Sequence, residues 1–132
     1  MVTNTFQEDT WSNDFGKEYT DRNTFNPEEV DDLYIENFGV SRTQLNRDFL
    51  ENFELNRILE VGCNVGNQLN VLKKMGCLDL WGIELQDYAV EVARKRTSGL
   101  NIVKGTAFDI PFKNDFFDIV FTSGGLNSYF AR

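Results

Sequence analysis

A glycine-rich segment directly after an apolar run is the part of this chain that most clearly suggests chemistry. The run Arg57-Ile-Leu leads into Glu60-Val-Gly-Cys-Asn-Val-Gly-Asn67, a pattern typical of a buried strand that turns sharply into a helix. Gly62 and Gly66 have no side chains, so the backbone can approach a ligand closely, and Asn64 tolerates a left-handed conformation. Taken alone, the spacing fits an ordinary strand-to-helix turn equally well.

A carboxylate follows at the distance that nucleotide-binding folds use. The segment Leu80-Trp-Gly-Ile-Glu84 predicts a second strand that ends in Glu84. In nucleotide-binding βαβ units, an acidic residue about 20 positions after the glycine-rich turn accepts hydrogen bonds from the ribose hydroxyls. A lone solvated Glu is the competing interpretation, and it is disfavoured because parallel sheets bind ligands where their strands end. The two segments together predict a nucleoside site.

The composition excludes several kinds of catalytic site. The chain has 132 residues, enough for one domain with its own core, but no histidine and only two cysteines, Cys63 and Cys77. These counts favour neither a disulfide framework nor a metal site, and they exclude histidine-based triads. We therefore expect no metal, and we interpret Cys63 as a small residue packed inside the glycine-rich turn.

The charge of the chain is negative and uneven. The net charge is −8, and residues 1–60 carry 14 acidic and 5 basic side chains. An acidic surface of this kind disfavours nucleic acid partners, which require a basic face. No apolar run approaches the ~18 residues of a membrane span, and the N-terminus lacks the basic-then-apolar order of a signal peptide. We therefore expect no membrane association and a cytoplasmic location.

The first part of the chain has the periodicity of helices. Trp11, Phe15 and Tyr19 recur every four residues, which is typical of one helical face. Asn26, followed by proline and two glutamates, predicts the start of a second helix, and Gly39 predicts its end.

A third helix is predicted from its capping signal. Ser41-Arg-Thr-Gln44 has the spacing of a capping box, in which the two side chains satisfy backbone donors reciprocally. We expect this helix to bury Leu45, Phe49, Leu50 and Phe53. Residues 1–55 are thus predicted to be an N-terminal helical cap.

From residue 56 the pattern alternates between strands and helices. The predicted elements are a strand at 57–61, a helix at 67–75, a strand at 79–84, a helix at 87–96 and strands at 101–104 and 116–122. This order implies an α/β fold with a parallel sheet, right-handed crossovers and helices on both faces. Because ligands bind at the carboxyl ends of such strands, residues 56–132 are predicted to be the ligand-binding half of a single domain.

Four ordered motifs make the chain resemble the class I S-adenosylmethionine-dependent methyltransferases, particularly those that act on small molecules. The first two are Ile58–Gly66 and Trp81–Glu84, and the next two are Gly105–Phe112 and Asn114–Val120. The resemblance covers residues 57–125 and implies a Rossmann-like sheet. It also implies S-adenosylmethionine as the cofactor and S-adenosylhomocysteine as the product.

The same resemblance implies roles for individual residues. Glu60 would help to place the amino group of the cofactor above the glycine turn, in which Asn64 stands where the family usually has glycine. Glu84 would accept hydrogen bonds from both ribose hydroxyls. Asp109 would bind the adenine amine and Ile110 the adenine ring, although a plain turn residue is the competing interpretation of Asp109. The predicted cofactor-binding residues are Glu60, Gly62, Cys63, Asn64, Gly66, Glu84, Leu85, Asp109, Ile110, Thr122, Tyr19 and Arg22.

The N-terminal segment carries a narrower resemblance. Residues 11–23 are similar to the opening of methylases associated with pseudaminic acid biosynthesis. In related enzymes the N-terminal helices lie over the cofactor, which implies that Tyr19, Arg22 and Asn23 are lid residues. Packing of the helix explains each of them equally well. The acceptor would then be a small molecule related to a sugar.

The predicted sheet has fewer strands than the resemblance implies. The family sheet usually has seven strands, whereas this chain ends soon after the fourth predicted one, so we expect it to be truncated there. An apolar edge along residues 117–121 would then be open to association. A homodimer that covers this edge and a naturally short protein are the competing explanations.

Two other functions compete with methyl transfer. A NAD-binding oxidoreductase would also place an acidic residue after a glycine turn, but it would more typically show Gly-x-Gly-x-x-Gly. A non-catalytic cofactor-binding fragment would keep the fold without the chemistry. No catalytic residue is predicted, because methyl transfer from a sulfonium needs an aligned acceptor and a dry pocket more than a protein base.

Overall fold

The computed structural model describes residues 14–53, 57–123 and 130–131. Within these residues three helices precede the first strand: α1 is Asp14–Arg22, α2 is Pro27–Phe38 and α3 is Arg42–Leu50. They confirm that the described part of the N-terminal segment is helical. Trp11 and the side chain of Phe15, which belong to the predicted face of α1, lie outside the described residues.

Helix α2 begins and ends where the sequence predicts because both of its ends are capped. Asn26 Oδ1 accepts a hydrogen bond from Glu29 N at 2.8 Å, and Glu29 Oε1 accepts one from Asn26 N at 3.0 Å. This reciprocal pair satisfies two backbone donors that the helix itself cannot pair. At the other end, Gly39 has a φ of 77°, a left-handed conformation that ends the helix.

Helix α3 has half of the capping box predicted for it. Ser41 Oγ accepts a hydrogen bond from Gln44 N at 3.0 Å. The side chain of Gln44 donates to Asp48 Oδ1 at 2.7 Å instead of returning to the helix start. The cap residue is therefore confirmed, and the reciprocal bond is not formed.

The buried face of α3 differs from the one predicted. Arg42 and Asn46 are 1% and 3% exposed, whereas Phe49 and Phe53 are 38% and 52% exposed. Arg42 donates to Tyr34 Oη at 3.0 Å and to Asn46 Oδ1 at 2.8 Å, so polar side chains join α3 to α2. The prediction that Phe49 and Phe53 are buried is wrong, because periodicity cannot reveal that a buried Arg is paired on the inner face.

A five-stranded sheet follows the helices, in the order β3-β2-β1-β4-β5. The strands are β1 (Arg57–Val61), β2 (Asp79–Glu84), β3 (Leu100–Lys104), β4 (Ile119–Thr122) and β5 (Phe130–Ala131), and the crossover helices are α4 (Asn67–Lys74) and α5 (Asp87–Arg96). Strands β1 to β4 run parallel. This arrangement confirms the predicted Rossmann-like α/β sheet.

The edge beside β4 differs from the prediction. Strand β4 begins at Ile119 rather than at residue 116. Strand β5 pairs with it antiparallel through Phe121 and Thr122. The edge predicted to be open is therefore paired at these two residues.

One apolar cluster holds the crossover helices on the sheet. It contains residues from all four parallel strands or the turns that follow them and from both helices: Ile58, Cys63, Leu69, Leu72, Leu80, Val90, Ala93, Ile102, Ile119 and Phe121. Leu50 of α3 packs against this cluster, and Leu45 packs against a second one formed by Val30, Tyr34 and Val71. The core thus joins the N-terminal helices to the sheet.

Four aromatic rings pack together on the opposite face of β2. Side chains alternate along a strand, so Trp81 lies on the face away from Leu80. Its ring meets those of Phe112, Phe116 and Phe117 edge-on, with centroids 5.4–5.9 Å apart. We call these four residues the aromatic cluster. Within the described part of the chain, no helix is long and apolar enough to cross a membrane.

Replacing Gly82 by Ala should destabilise the protein. A Cβ at this position would lie 2.6 Å from Cys63 Sγ and 3.0 Å from Ile102 Cδ1. Overpacking of this kind costs about 1–3 kcal/mol, which denaturant unfolding would measure. Adding Cys63→Ala should recover part of the loss, with Cys63→Ala alone as the control. Equal stability of the Gly82→Ala variant and the parent would contradict this prediction.

Candidate functional site

The turn after β1 is held against β2 by its backbone. The N–H groups of Gly62 and Cys63 both donate to Ile83 O, at 2.8 and 3.0 Å. Gly62 has a φ of 72°, and a Cβ built on it would meet no atom within 4 Å. Asn64 has a φ of 50°, as its residue type allows. The turn therefore presents backbone to open space at the carboxyl end of β1.

Glu84 ends β2 and ties two loops together. Its Oε1 accepts a hydrogen bond from Asn64 N at 2.8 Å, and its Oε2 accepts one from Gln86 N at 2.8 Å. Burial raises the pKa of this carboxyl, against the opposing effect of the backbone N–H groups of Gln86, Asn64 and Leu85. A carboxylate oxygen has two lone-pair sites, so each oxygen can still accept a further hydrogen bond.

Glu60 is a buried acid at the end of β1. It is 1% exposed, and Ser123 Oγ donates to its Oε2 at 2.6 Å. Its Oε1 has no hydrogen-bond partner among the described residues. Burial raises the pKa of Glu60 to about 8, although the bond from Ser123 and the charge of Arg42 both act to lower it. Glu60 Oε1 can therefore accept a hydrogen bond from a donor that the described chain does not supply.

A cleft of about 560 Å³ opens above these residues. It is lined by most of the predicted cofactor-binding residues: Tyr19, Glu60, Gly62, Cys63, Asn64, Glu84, Leu85 and Thr122. These residues come from α1 and from the carboxyl ends of β1, β2 and β4. The structure therefore brings together residues that are up to about a hundred positions apart in the sequence.

Four of the predicted residues do not line the cleft. Arg22 lies on the exposed side of α1. Gly66 lies directly before α4 and has a φ of 82°. A Cβ built on it would lie 3.2 Å from Leu100 Cδ1, so this residue packs against β3. Asp109 and Ile110 are exposed on the segment after β3, whose residues Thr106, Ala107 and Phe108 do line the cleft.

Asn67 joins the N-terminal segment to the sheet. Its Oδ1 accepts hydrogen bonds from Phe25 N at 3.1 Å and from Arg96 Nη1 at 2.8 Å, and its Nδ2 donates to Asn23 O at 2.6 Å. Asn23, predicted as a lid residue, also lines the cleft. The residues that follow α1 are therefore fastened beside the glycine turn.

Sequence reasoning missed three polar residues of the site. Ser123, Gln68 and Gln86 all line the cleft. The signal for Ser123 was a hydroxyl residue directly after a strand, but its use required knowing that β4 lies beside β1. Gln68 and Gln86 carry no sequence signal that distinguishes them from surface residues. No group of acidic or cysteine side chains within the described ranges could hold a metal ion.

A family model for the methyltransferase domain matches residues 59–130 of this chain. No curated protein sequence matches this chain.

Solved structures share the fold over a part of their length. The YcgJ protein from Bacillus subtilis is 25% identical with a TM-score of 0.52, over 61% of this chain and 36% of that one. CalS10 from Micromonospora echinaspora, an amino pentose methyltransferase of calicheamicin biosynthesis solved with S-adenosylmethionine, is 21% identical with a TM-score of 0.50, over 93% and 44%. A candidate S-adenosylmethionine-dependent methyltransferase from Methanococcus maripaludis is 14% identical with a TM-score of 0.64, over 94% and 54%. The chain spans about half or less of the length of these structures.

Replacing Glu60 by Gln should flatten the pH dependence of stability. The pKa of Glu60 is about 8 in the folded protein against an ordinary value of 4.5. The raised pKa means that protonated Glu60 stabilises the fold below pH 4.5, and that this contribution is lost as the pH rises through 8. The loss proceeds at up to about 1.4 kcal/mol per pH unit.

Denaturant unfolding across this range would test the effect. The Gln side chain cannot ionise, so Glu60→Gln should gain stability over the parent protein as the pH rises. The exposed Glu36→Gln is the matched control and should follow the parent at every pH. The same pH dependence in Glu60→Gln and in the parent would show that Glu60 titrates normally.

Proposed function

The chain belongs to the methyltransferase domain family, and we propose that it binds S-adenosylmethionine for transfer of a methyl group to a small molecule. When bound, this cofactor supplies a methyl group on a positively charged sulfur. The residues of the chain would bind its nucleoside and amino acid parts, orient them and exclude water. Alignment of this kind is the main requirement of a methyl transfer that needs no protein base.

The position of Glu84 is the observation that carries the proposal. Its carboxylate lies at the carboxyl end of β2 and lines the cleft, with one acceptor site left on each oxygen. Two ribose hydroxyls side by side would match these two sites. A negative charge here also disfavours a diphosphate, which supports a nucleoside rather than a dinucleotide.

Glu60 supports binding of the amino end of the cofactor. Its Oε1 is buried without a partner in the described chain, whereas Ser123 satisfies Oε2. An ammonium group supplies hydrogen-bond donors and a positive charge, and both favour the ionised carboxylate. The open space beside Gly62, between Glu60 and Glu84 in the cleft lining, suits the methionine chain that would connect these two groups.

The segment after β3 supports binding of the adenine. Phe108 is 73% exposed and lines the cleft. Its aromatic ring, left in solvent, would be covered by the flat base. The family resemblance implies that Asp109 and Ile110 contact the same base, and Leu85, which lines the cleft, is a further predicted cofactor-binding residue.

The side of the cleft formed by α1 and α2 supports a cap role for residues 1–55. Tyr19, Phe25, Val30 and Leu33 line it, so most of this wall is apolar and would exclude water from the reacting groups. We propose a sugar-related acceptor on this side. The N-terminal resemblance to pseudaminic acid methylases supports that choice, and so does the fold shared with CalS10, an amino pentose methyltransferase. A cytoplasmic location and a homodimer through the sheet edge beside β4 are predictions from the sequence.

Replacing Glu84 by Ala should weaken S-adenosylhomocysteine binding by about a hundredfold or more, because two charge-assisted hydrogen bonds would be lost. Isothermal titration calorimetry would measure the change. Glu84→Gln keeps one acceptor oxygen and should give an intermediate loss. Glu36→Ala, on the exposed side of α2, is the control and should bind like the parent.

Two results would contradict the proposed function. One is a parent protein that binds NADH in preference to S-adenosylhomocysteine, which would select the oxidoreductase. The other is unchanged S-adenosylhomocysteine affinity in a folded Glu84→Ala variant, which would remove Glu84 from the site. Circular dichroism of each variant would establish that it is folded.

A further inference from the structure

Gln86 occupies the N-cap position directly before α5, but its side chain does not cap the helix. Its backbone is extended, with a φ of −82°, and its side chain makes no capping hydrogen bond. Glutamine is also not among the residue types that N-terminal caps prefer. The side chain is 3% exposed and turns to α1 instead, where Thr20 Oγ1 donates to Gln86 Oε1 at 2.8 Å. Helix capping therefore does not explain this residue.

Thr20 and Glu84 hold the same two loops from different directions. Glu84 binds the backbone N–H groups of Asn64 and Gln86. Thr20 Oγ1 lies 2.8 Å from the side-chain oxygen of Gln86 and 3.2 Å from that of Asn64. A hydroxyl has a single proton, so only one of these two oxygens can accept it, and Gln86 Oε1 is the nearer. In this orientation the Gln86 amide places its oxygen on Thr20 and leaves its nitrogen for another acceptor.

The second observation concerns the side-chain nitrogen of Gln86. Gln86 Nε2 is buried and has no hydrogen-bond partner among the described residues. A buried donor without an acceptor is destabilising, and native proteins rarely leave one without a reason. Gln86 lines the cleft, so a ligand in the cleft can supply the missing acceptor.

The neighbouring carboxylate indicates which acceptor this is. Glu84 can only accept hydrogen bonds, so it takes the protons of the ribose hydroxyls and leaves their lone pairs unpaired. Gln86 lies two residues after Glu84 on the same loop, and its Nε2 is a hydrogen-bond donor. We propose that Gln86 donates to a ribose hydroxyl of the nucleoside, and that Thr20 is a positioning residue that holds the Gln86 amide in this orientation. The inference rests on the proposed function and adds a ligand contact to it.

The arrangement would select ribose over deoxyribose. A hydroxyl can satisfy Glu84 and Gln86 together, whereas a hydrogen atom in its place satisfies neither. Sites that pair buried polar groups with a ligand hydroxyl discriminate strongly against ligands that lack it.

The Gln86→Leu variant tests this contact by calorimetry. Its affinity for S-adenosylhomocysteine should fall about threefold to tenfold, as for loss of one hydrogen bond. For the analogue that lacks the contacted 2′- or 3′-hydroxyl, Gln86→Leu and the parent should bind equally. Gln44→Leu, at a half-buried position of α3 that does not line the cleft, is the matched control and should bind both ligands like the parent.

Thr20 variants provide a second test that keeps Gln86. Thr20→Val should weaken S-adenosylhomocysteine binding in the same hydroxyl-dependent way, and Thr20→Ser should restore it. Thr24→Val is the control, because Thr24 Oγ1 donates to Thr20 O at 2.7 Å and the residue does not line the cleft.

Three results would overturn the inference. Unchanged affinity in Gln86→Leu, with the parent protein binding normally, would overturn it and leave the proposed function intact. An equal loss for S-adenosylhomocysteine and for both deoxy analogues would show a structural role only. Failure of the parent to bind S-adenosylhomocysteine would overturn the proposed function together with this inference.

Discussion

The site depends on one half-buried carboxylate that accepts backbone hydrogen bonds from two separate loops. Glu84 receives the N–H of Asn64 in the glycine turn and the N–H of Gln86 at the start of α5. Without that acceptor, both donors would be left unpaired at the base of the cleft. The same side chain thereby sets the distance between the loops and offers its remaining lone pairs to a ligand. The carboxyl group of Glu84 therefore holds the two loops together and also faces the ligand site. The loops are in place before a ligand binds.

Two acids line the cleft, Glu60, which is buried, and Glu84, which is half-buried. Burial raises the pKa of both Glu60 and Glu84, and the charge of Glu84 adds to the shift of Glu60. Arg42 opposes this shift but does not cancel it. A ligand with a positive charge would favour the ionised form of both carboxyl groups. In the proposed function, the ammonium group of the cofactor would act in this way on Glu60.

The sheet and the cofactor half of the site were predictable because local patterns determine them. The strand at 79–84 and the helix at 87–96 have the predicted bounds, and the turn at Gly62 and the acid at Glu84 carry recognisable spacing. The inner face of α3 was not predictable, since Arg42 is buried by a hydrogen bond to Tyr34 on another helix. Ser123, Gln68 and Gln86 were missed for the same reason. Ser123 reaches Glu60 only because β4 lies beside β1. Gln68 and Gln86 contact Tyr34 and Thr20, which lie on the N-terminal helices far away in the sequence.

The aromatic cluster has a consequence for the thermodynamics of ligand binding. Phe112, Phe116 and Phe117 fasten the far part of the segment between β3 and β4 onto Trp81. Ordering the backbone of one residue costs about 1–2 kcal/mol, so a long free segment would oppose binding severely. The residues of this segment that line the cleft are the four from Gly105 to Phe108. By holding the far part of the segment in place, the rings limit the number of residues that ligand binding could still order.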